Sequence, residues 1–140
     1  MGRMTAQELP ALAEQVPILI TQHTEQNASL ADAHGVANHQ LLVDGSGGRG
    51  RSPGVWTRPA TSKRVGFAGG LGVDNVADEL SRIAGVARGP YWIDLEGKLR
   101  TDDWFDLAKL EAFLAAMPRG AGAASAGRIS ACADAGQATA

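Results

Sequence analysis

The stretch Lys63–Leu80, KRVGFAGGLGVDNVADEL, decides how the chain is read. Val65 and Phe67 are apolar and two apart, the spacing of one strand face. Gly69 and Gly70 follow, permitting a tight turn and close approach of a ligand to the main chain. Val76, Leu80 and Ile83 then stand at i, i+4 and i+7, one face of a helix, and Gly85 is placed to end it. A strand running through glycines into a helix turns several backbone N–H groups outward, where a phosphate can sit. The same glycines also suit a plain turn, so this unit alone leaves anion site and bare geometry open.

Upstream, Gln40–Asp44, QLLVD, reads as a strand running into GSGGRGRSPG. That loop has glycines at 45, 47, 48, 50 and 54, too many for a plain connection of about 4–6 residues. Trp56 and Pro59 close it. Val16–Ile20, VPILI, is a short apolar run that predicts a strand covered on both faces, and His23 lies just past its end. Thr24–Ala33 is a weak helix candidate closed by Gly35. Thr5–Gln15 reads as a helix: Thr5 and Glu8 match a capping box, Leu9 and Leu12 are expected to face inward, and Pro10 limits the span.

Downstream, Tyr91–Leu95, YWIDL, predicts a fourth strand, and a polar loop follows. Asp106 is placed to cap a last helix with Leu107, Leu110, Leu114 and Met117 on one face. Strands and helices alternate at a spacing of roughly 25 residues, which predicts an α/β fold of parallel (β/α) units with right-handed crossovers. Four such units fit a small open sheet or half of a (β/α)8 barrel, since a whole barrel takes about 250 residues. The domain is expected over residues 1–117. From Pro118 the composition is Gly, Ala and Ser with few large apolar groups, which predicts a disordered tail over 118–140.

With 140 residues and a net charge of -2, the chain suits one domain and lacks the charge footprint of a nucleic-acid binder. Its one cysteine, Cys132, excludes an internal disulfide framework and a cysteine-based zinc site, and fits a reducing compartment. No apolar run approaches the roughly 20 residues of a membrane span, and the N-terminus lacks the apolar core of a secretory signal. These features lead to the expectation of a soluble cytoplasmic protein that does not engage membranes.

In such folds chemistry gathers at the carboxyl ends of the strands. Asp44 ends the second strand, Gly69 and Gly70 the third, and Asp94, Glu96 and Gly97 the fourth. Backbone-rich loops could hold an anion while a neighbouring carboxyl moves a proton. Asp44 equally suits a solvated turn or a helix cap. Asp94 follows Ile93 on the other strand face and is expected to make a structural hydrogen bond. Arg49 and Arg51 read either as phosphate contacts or as surface arginines of the loop. His23 is a possible base or ligand, although a lone histidine at a strand end is commonly neither. His34 and His39 lack metal-ligand spacing to an acidic partner, so no metal is expected.

With these residues in place, Gln40–Met117 resembles the carboxyl-terminal half of phosphoribosylanthranilate isomerase, a (β/α)8 barrel of tryptophan biosynthesis. The family's sixth strand reads LLDS followed by GGTGKTFDW, and Leu41–Trp56 carries a similar run, LLVDGSGGRGRSPGVW, with an insertion before the tryptophan. Its seventh reads AGGL with NV opening a helix, matched by AGGLGVDNV at Ala68–Val76. Its eighth reads VDVSSGVET before a last helix, to which Ile93–Thr101 and Lys109–Met117 correspond. AGGL alone is shared by several phosphate-binding barrels; the ordered set of three is more specific.

The resemblance implies a partial TIM barrel corresponding to strands five to eight, with Val16–Ile20 the fifth strand by position. It implies an Amadori rearrangement of an aminoaldose phosphate, without cofactor or metal. Asp44 takes the place of the family's general acid. Gly69 and Gly70, with Glu96, Gly97 and Lys98, take that of the phosphate-binding loops, and Gly48, Arg49, Gly50 and Arg51 form a substrate loop. The expected ligand is a small phosphorylated sugar amine. The family's general base is a cysteine on the first strand, which has no counterpart here, and its Ser-Ser-Gly becomes Glu96-Gly97-Lys98. The chain is therefore expected to be a truncated barrel that self-associates or pairs with a second half-barrel chain, since a half barrel exposes two sheet edges. The alternative expectation is a non-catalytic phosphate-binding half barrel.

Overall fold

A computed structural model describes residues 5, 7–24 and 35–118. The Thr24–Ala33 helix candidate, apart from Thr24, and the expected tail beyond Pro118 lie outside the described residues. The element order is α1 (Leu9–Ala13), β1 (Leu19–Gln22), β2 (His39–Asp44), β3 (Val65–Ala68), α2 (Val76–Ala87) and β4 (Tyr91–Asp94). A 3-10 turn at Gly97–Leu99, a small hairpin of β5 (Arg100–Thr101) and β6 (Trp104–Phe105), and α3 (Leu107–Ala116) complete it. Strands β1 to β4 form one sheet in sequence order, and every pairing in it is parallel. The fold is an α/β arrangement with helices interleaved among parallel strands.

The register defines two faces. Leu41, Val65 and Tyr91 form one row and Val43, Phe67 and Ile93 the next. These rows pack on α2 through Ile83 and Ala87, and on Trp56 and Leu71. Side chains alternate between faces, so the intervening rows Leu42–Gly66–Trp92 and Asp44–Ala68–Asp94 point to the opposite side. A Cβ at Gly66 would stand 2.3 Å from the Trp92 indole, so glycine there lets the indole lie across β3.

Between β2 and β3 the chain crosses over without a helix, which departs from the expected strand–helix repeat. Trp56, 3% exposed, fills the space instead. Its ring meets Phe67 edge to face at 5.9 Å, and such a pair adds to the area it buries.

Several expectations are corrected. The run Val16–Ile20 is not a doubly covered strand: β1 starts at Leu19, and Ile18 and Ile20 are 55% and 48% exposed. It is the sheet's edge, with Ile20 on the open face. Helix α1 begins at Leu9, which places Pro10 in the first turn, where its missing N–H costs nothing. Leu9 is buried but Leu12 is exposed. The expected capping box does not form: Glu8 is itself the N-cap of α1 and makes no side-chain cap bond, and its carboxylate instead accepts from the Thr5 backbone N–H at 2.7 Å ahead of the helix.

Helix α2 runs through Gly85 and ends two residues later, with Arg88 in the left-handed region. Ala87 is buried in the core, so packing carries the helix past the glycine. In α3, Asp106 caps as expected, accepting from the N–H groups of Ala108 and Lys109. The buried face, however, centres on Phe113 with Leu110 and Met117 beside it, while Leu107 and Leu114 are exposed.

Candidate functional site

The carboxyl ends of β2, β3 and β4 open into a cleft of about 310 Å³. Asp44, Gly48 and Gly50 line it from the β2 side, Gly69 and Gly70 from the β3 turn, and Glu96, Gly97 and Lys98 from the β4 loop. Asp94 lines it as well. Asp44, the Gly69–Gly70 turn and Glu96–Lys98 thus share one cleft. Arg49 and Arg51 do not; they line a second cleft of about 370 Å³ with Ser46, Ser52, Pro53 and neighbouring glycines.

Asp44 organises its own loop. Its Oδ1 accepts from the backbone N–H of Ser46 at 2.9 Å and the Ser46 hydroxyl at 2.7 Å. Its Oδ2 accepts from the Gly48 N–H at 2.7 Å. The Ser46 Oγ in turn accepts from the N–H groups of Arg49 and Gly50. Burial pushes the Asp44 carboxyl up, but hydrogen bonds from Ser46, Gly48 and Gly47 outweigh it and hold the group below its ordinary value. A carboxylate held in its ionised form by several donors is a weak proton donor.

Asp94 is the opposite case. Among the described residues it has no hydrogen-bond partner, so the expected structural hydrogen bond is not formed. The residue is exposed, and partial desolvation at the cleft, then the charges of Glu96 and Asp44, push its carboxyl above the ordinary value. Asp44 and Asp94 flank Ala68 in one row of the sheet, two strand spacings or roughly 10 Å apart at their Cα atoms.

The double-glycine turn has a steric reason. Gly69 and Gly70 have φ of 131° and 63°, the region that disfavours other residues. A Cβ on Gly70 would also lie 2.3 Å from the Ser52 backbone nitrogen, and one on Gly69 2.9 Å from that of Ser46. The glycines therefore let the β2 loop sit directly on the β3 turn. Asn75 secures the turn, donating to the Gly70 carbonyl at 3.0 Å and accepting from the Gly72 N–H at 2.8 Å.

Charge in the β4 loop is arranged for an anion. The Glu96 carboxylate pairs with Arg100. Lys98 lays its stem along Gly72 and has no carboxylate partner among the described residues. Its ammonium is left as the cleft's unpaired cation.

His23 does not serve this cleft. Its N–H bonds the Leu42 carbonyl at 2.7 Å, which continues the β1 ladder and turns its side chain to the face opposite Asp44. Its Nδ1 is buried without a partner.

Glu79 escaped the sequence reading. It is 5% exposed, accepts from Ser52 Oγ at 2.5 Å and Trp56 Nε1 at 2.6 Å, and pairs with Arg82 at 3.0 Å. It fastens the far end of the glycine loop to α2. Its place three residues after Val76, on the apolar stripe, was the available signal.

Among the described residues no three histidine, cysteine or acidic side chains come together as a metal site, and no helix is long and apolar enough to cross a membrane. The chain matches no family model, no curated protein and no solved structure.

Proposed function

We propose that this chain is a phosphoribosylanthranilate isomerase-like protein whose cleft takes a small phosphorylated sugar amine. The observation that carries this reading is the convergence of Asp44, Gly69, Gly70, Glu96, Gly97 and Lys98 on one cleft at the strands' carboxyl ends. Those six residues come from three separate motifs of the resemblance. The pairing of Glu96 with Arg100 offsets part of the repulsion that a glutamate in place of serine would bring, and Lys98 supplies attraction. On this reading the four strands are part of a (β/α)8 barrel, with the Leu42–Trp92 face turned to its interior, and a second copy or another half barrel covers that face and the β1 and β4 edges.

One observation favours a second reading, a binding module without turnover. Among the described residues the cleft is lined by no histidine or cysteine, and Asp44 is engaged by its own loop.

Calorimetric titration of the purified chain with the reduced product analogue of the isomerase tests the ligand class, with inorganic phosphate as comparison. We expect both to bind, and Lys98→Met to weaken each about tenfold, the worth of one charge-assisted hydrogen bond. A folded protein that binds neither sinks the reading. Binding without isomerisation selects the second one.

A further inference from the structure

We propose that the outer side of the glycine loop is a second anion site, where Arg49 and Arg51 take a phosphate group, free or as a phosphomonoester. The site is separate from the cleft at the strand ends and does not depend on the reading of that cleft.

The argument begins with how the loop divides the space around it. Glycine and arginine alternate over Gly48–Arg51. Gly48 and Gly50 line the cleft at the strand ends, while Arg49 and Arg51 line the separate cleft of about 370 Å³. Left-handed backbone at both glycines, with φ of 80° and 60°, lets the chain wind between the two. The clefts also differ in charge. Asp44, Asp94, Glu96 and Lys98 line the first, three carboxylates against one ammonium. Two guanidinium groups and no carboxylate line the second. Coulomb attraction therefore favours an anion on the outer side of the loop.

The wall of the second cleft is built to hold a guanidinium in place. Ser46 is 5% exposed and its hydroxyl is fixed by Asp44 at 2.7 Å. Arg49 is tied to Ser46 twice, by its backbone N–H to Oγ at 3.1 Å and by its Nε to the carbonyl at 3.0 Å. Its two Nη groups stay available in the fork that matches phosphate oxygens, and a guanidinium already held loses less freedom on binding. Acceptors that would compete for the arginines are occupied. Arg82 takes the Gly54 carbonyl, and the carboxylate behind the wall, Glu79, is engaged by Ser52, Trp56 and Arg82. A phosphate entering the cleft accepts from Arg49 and Arg51 together, and bridges them across Gly50.

The test is NMR of the full chain titrated with inorganic phosphate and with ribose 5-phosphate, following the arginine Nε–H signals and the Ser52 and Gly54 amides. Wild type is expected to show saturable shifts at Arg49, Arg51, Ser52 and Gly54. Arg51→Gln is expected to weaken binding about tenfold, the worth of one charge-assisted hydrogen bond, and Arg49→Gln with Arg51→Gln to abolish it. Lys98→Met, in the other cleft, is expected to leave these shifts within about twofold. Among the described residues the Arg51 side chain makes no hydrogen bond or ion pair, so Arg51→Gln keeps the test decisive if loss of the Arg49–Ser46 bonds disturbs the loop. Tighter binding of ribose 5-phosphate than of phosphate identifies a phosphomonoester as the ligand, and equal binding identifies the free anion. Absence of saturable shifts at Arg49 and Arg51 overturns the proposal. So does binding unchanged by Arg51→Gln, or binding weakened as much by Lys98→Met, which would place the anion in the first cleft. Loss of this site leaves the isomerase-like reading standing, because that reading rests on the cleft of Asp44 and Lys98.

Discussion

Replacing Glu79 with alanine should loosen the glycine loop from α2 and lower stability by about 3 kcal/mol. The magnitude follows from what each partner loses. The Trp56 indole N–H, on a side chain 3% exposed, would be left buried without an acceptor, a penalty of about 1–3 kcal/mol. The Ser52 hydroxyl is half-buried and can turn to water, so its loss is nearer 1 kcal/mol. Arg82 is 46% exposed, and a pair screened by solvent to that degree adds little. Glu79→Gln keeps one acceptor for Trp56 and should cost about 1 kcal/mol.

Urea unfolding followed by circular dichroism measures both. With an m-value of about 1.5 kcal/mol/M, the alanine midpoint should fall by about 2 M. The Trp56 indole proton, followed by NMR, should change from slow to fast solvent exchange in the alanine variant. An alanine midpoint within 0.5 M of wild type, with the indole still protected, would refute the claim that Glu79 holds the loop.

Three further outcomes are expected. Gly70→Ala should destabilise by about 3 kcal/mol, because it combines left-handed strain with contact against the Ser52 and Arg51 backbone, whereas Gly35→Ala, at φ 82° with open space around it, should cost about 1 kcal/mol; paired thermal melts check the contrast. Phe113→Ala should cost about 3–4 kcal/mol while Leu107→Gln and Leu114→Gln stay within about 0.5 kcal/mol, as urea midpoints would report. Stability should decline as pH falls below 6.5, the ordinary histidine value, because burial, then the Lys63 charge, hold His39 below it. The folded state then binds fewer protons than the unfolded one, and His39→Gln should flatten urea midpoints between pH 7 and pH 5.

Much of the sheet was legible because strand periodicity is local. Gln40–Asp44 and Tyr91–Leu95 fall within a residue of β2 and β4, and Asp106 caps α3 because a cap needs only the next three residues. Edges were harder. Whether Val16–Ile20 is covered depends on its place in the sheet, and the exposure of Ile18 and Ile20 has no signature in their own residue types. Helix faces were legible only where one apolar stripe competes. In α2 Val76, Leu80 and Ile83 are all buried. In α3 apolar residues surround the helix, and packing against Leu99 and Leu80 selects the stripe of Phe113.

By itself, the sequence determined that parallel strands would present Asp44, a double glycine and Asp94 at neighbouring strand ends, because alternation and turn residues act over a few positions. Only the tertiary structure decided what each group does there. Asp44 is bound by the loop that follows it, Asp94 is left without a partner, and Glu96 is drawn to Arg100. Gly70 makes room for Ser52, and Glu79 seats Ser52 and Trp56 from the far side. Proton affinity and hydrogen-bond capacity depend on which donors, charges and walls surround a group, and folding assembles those neighbours from residues far apart along the chain.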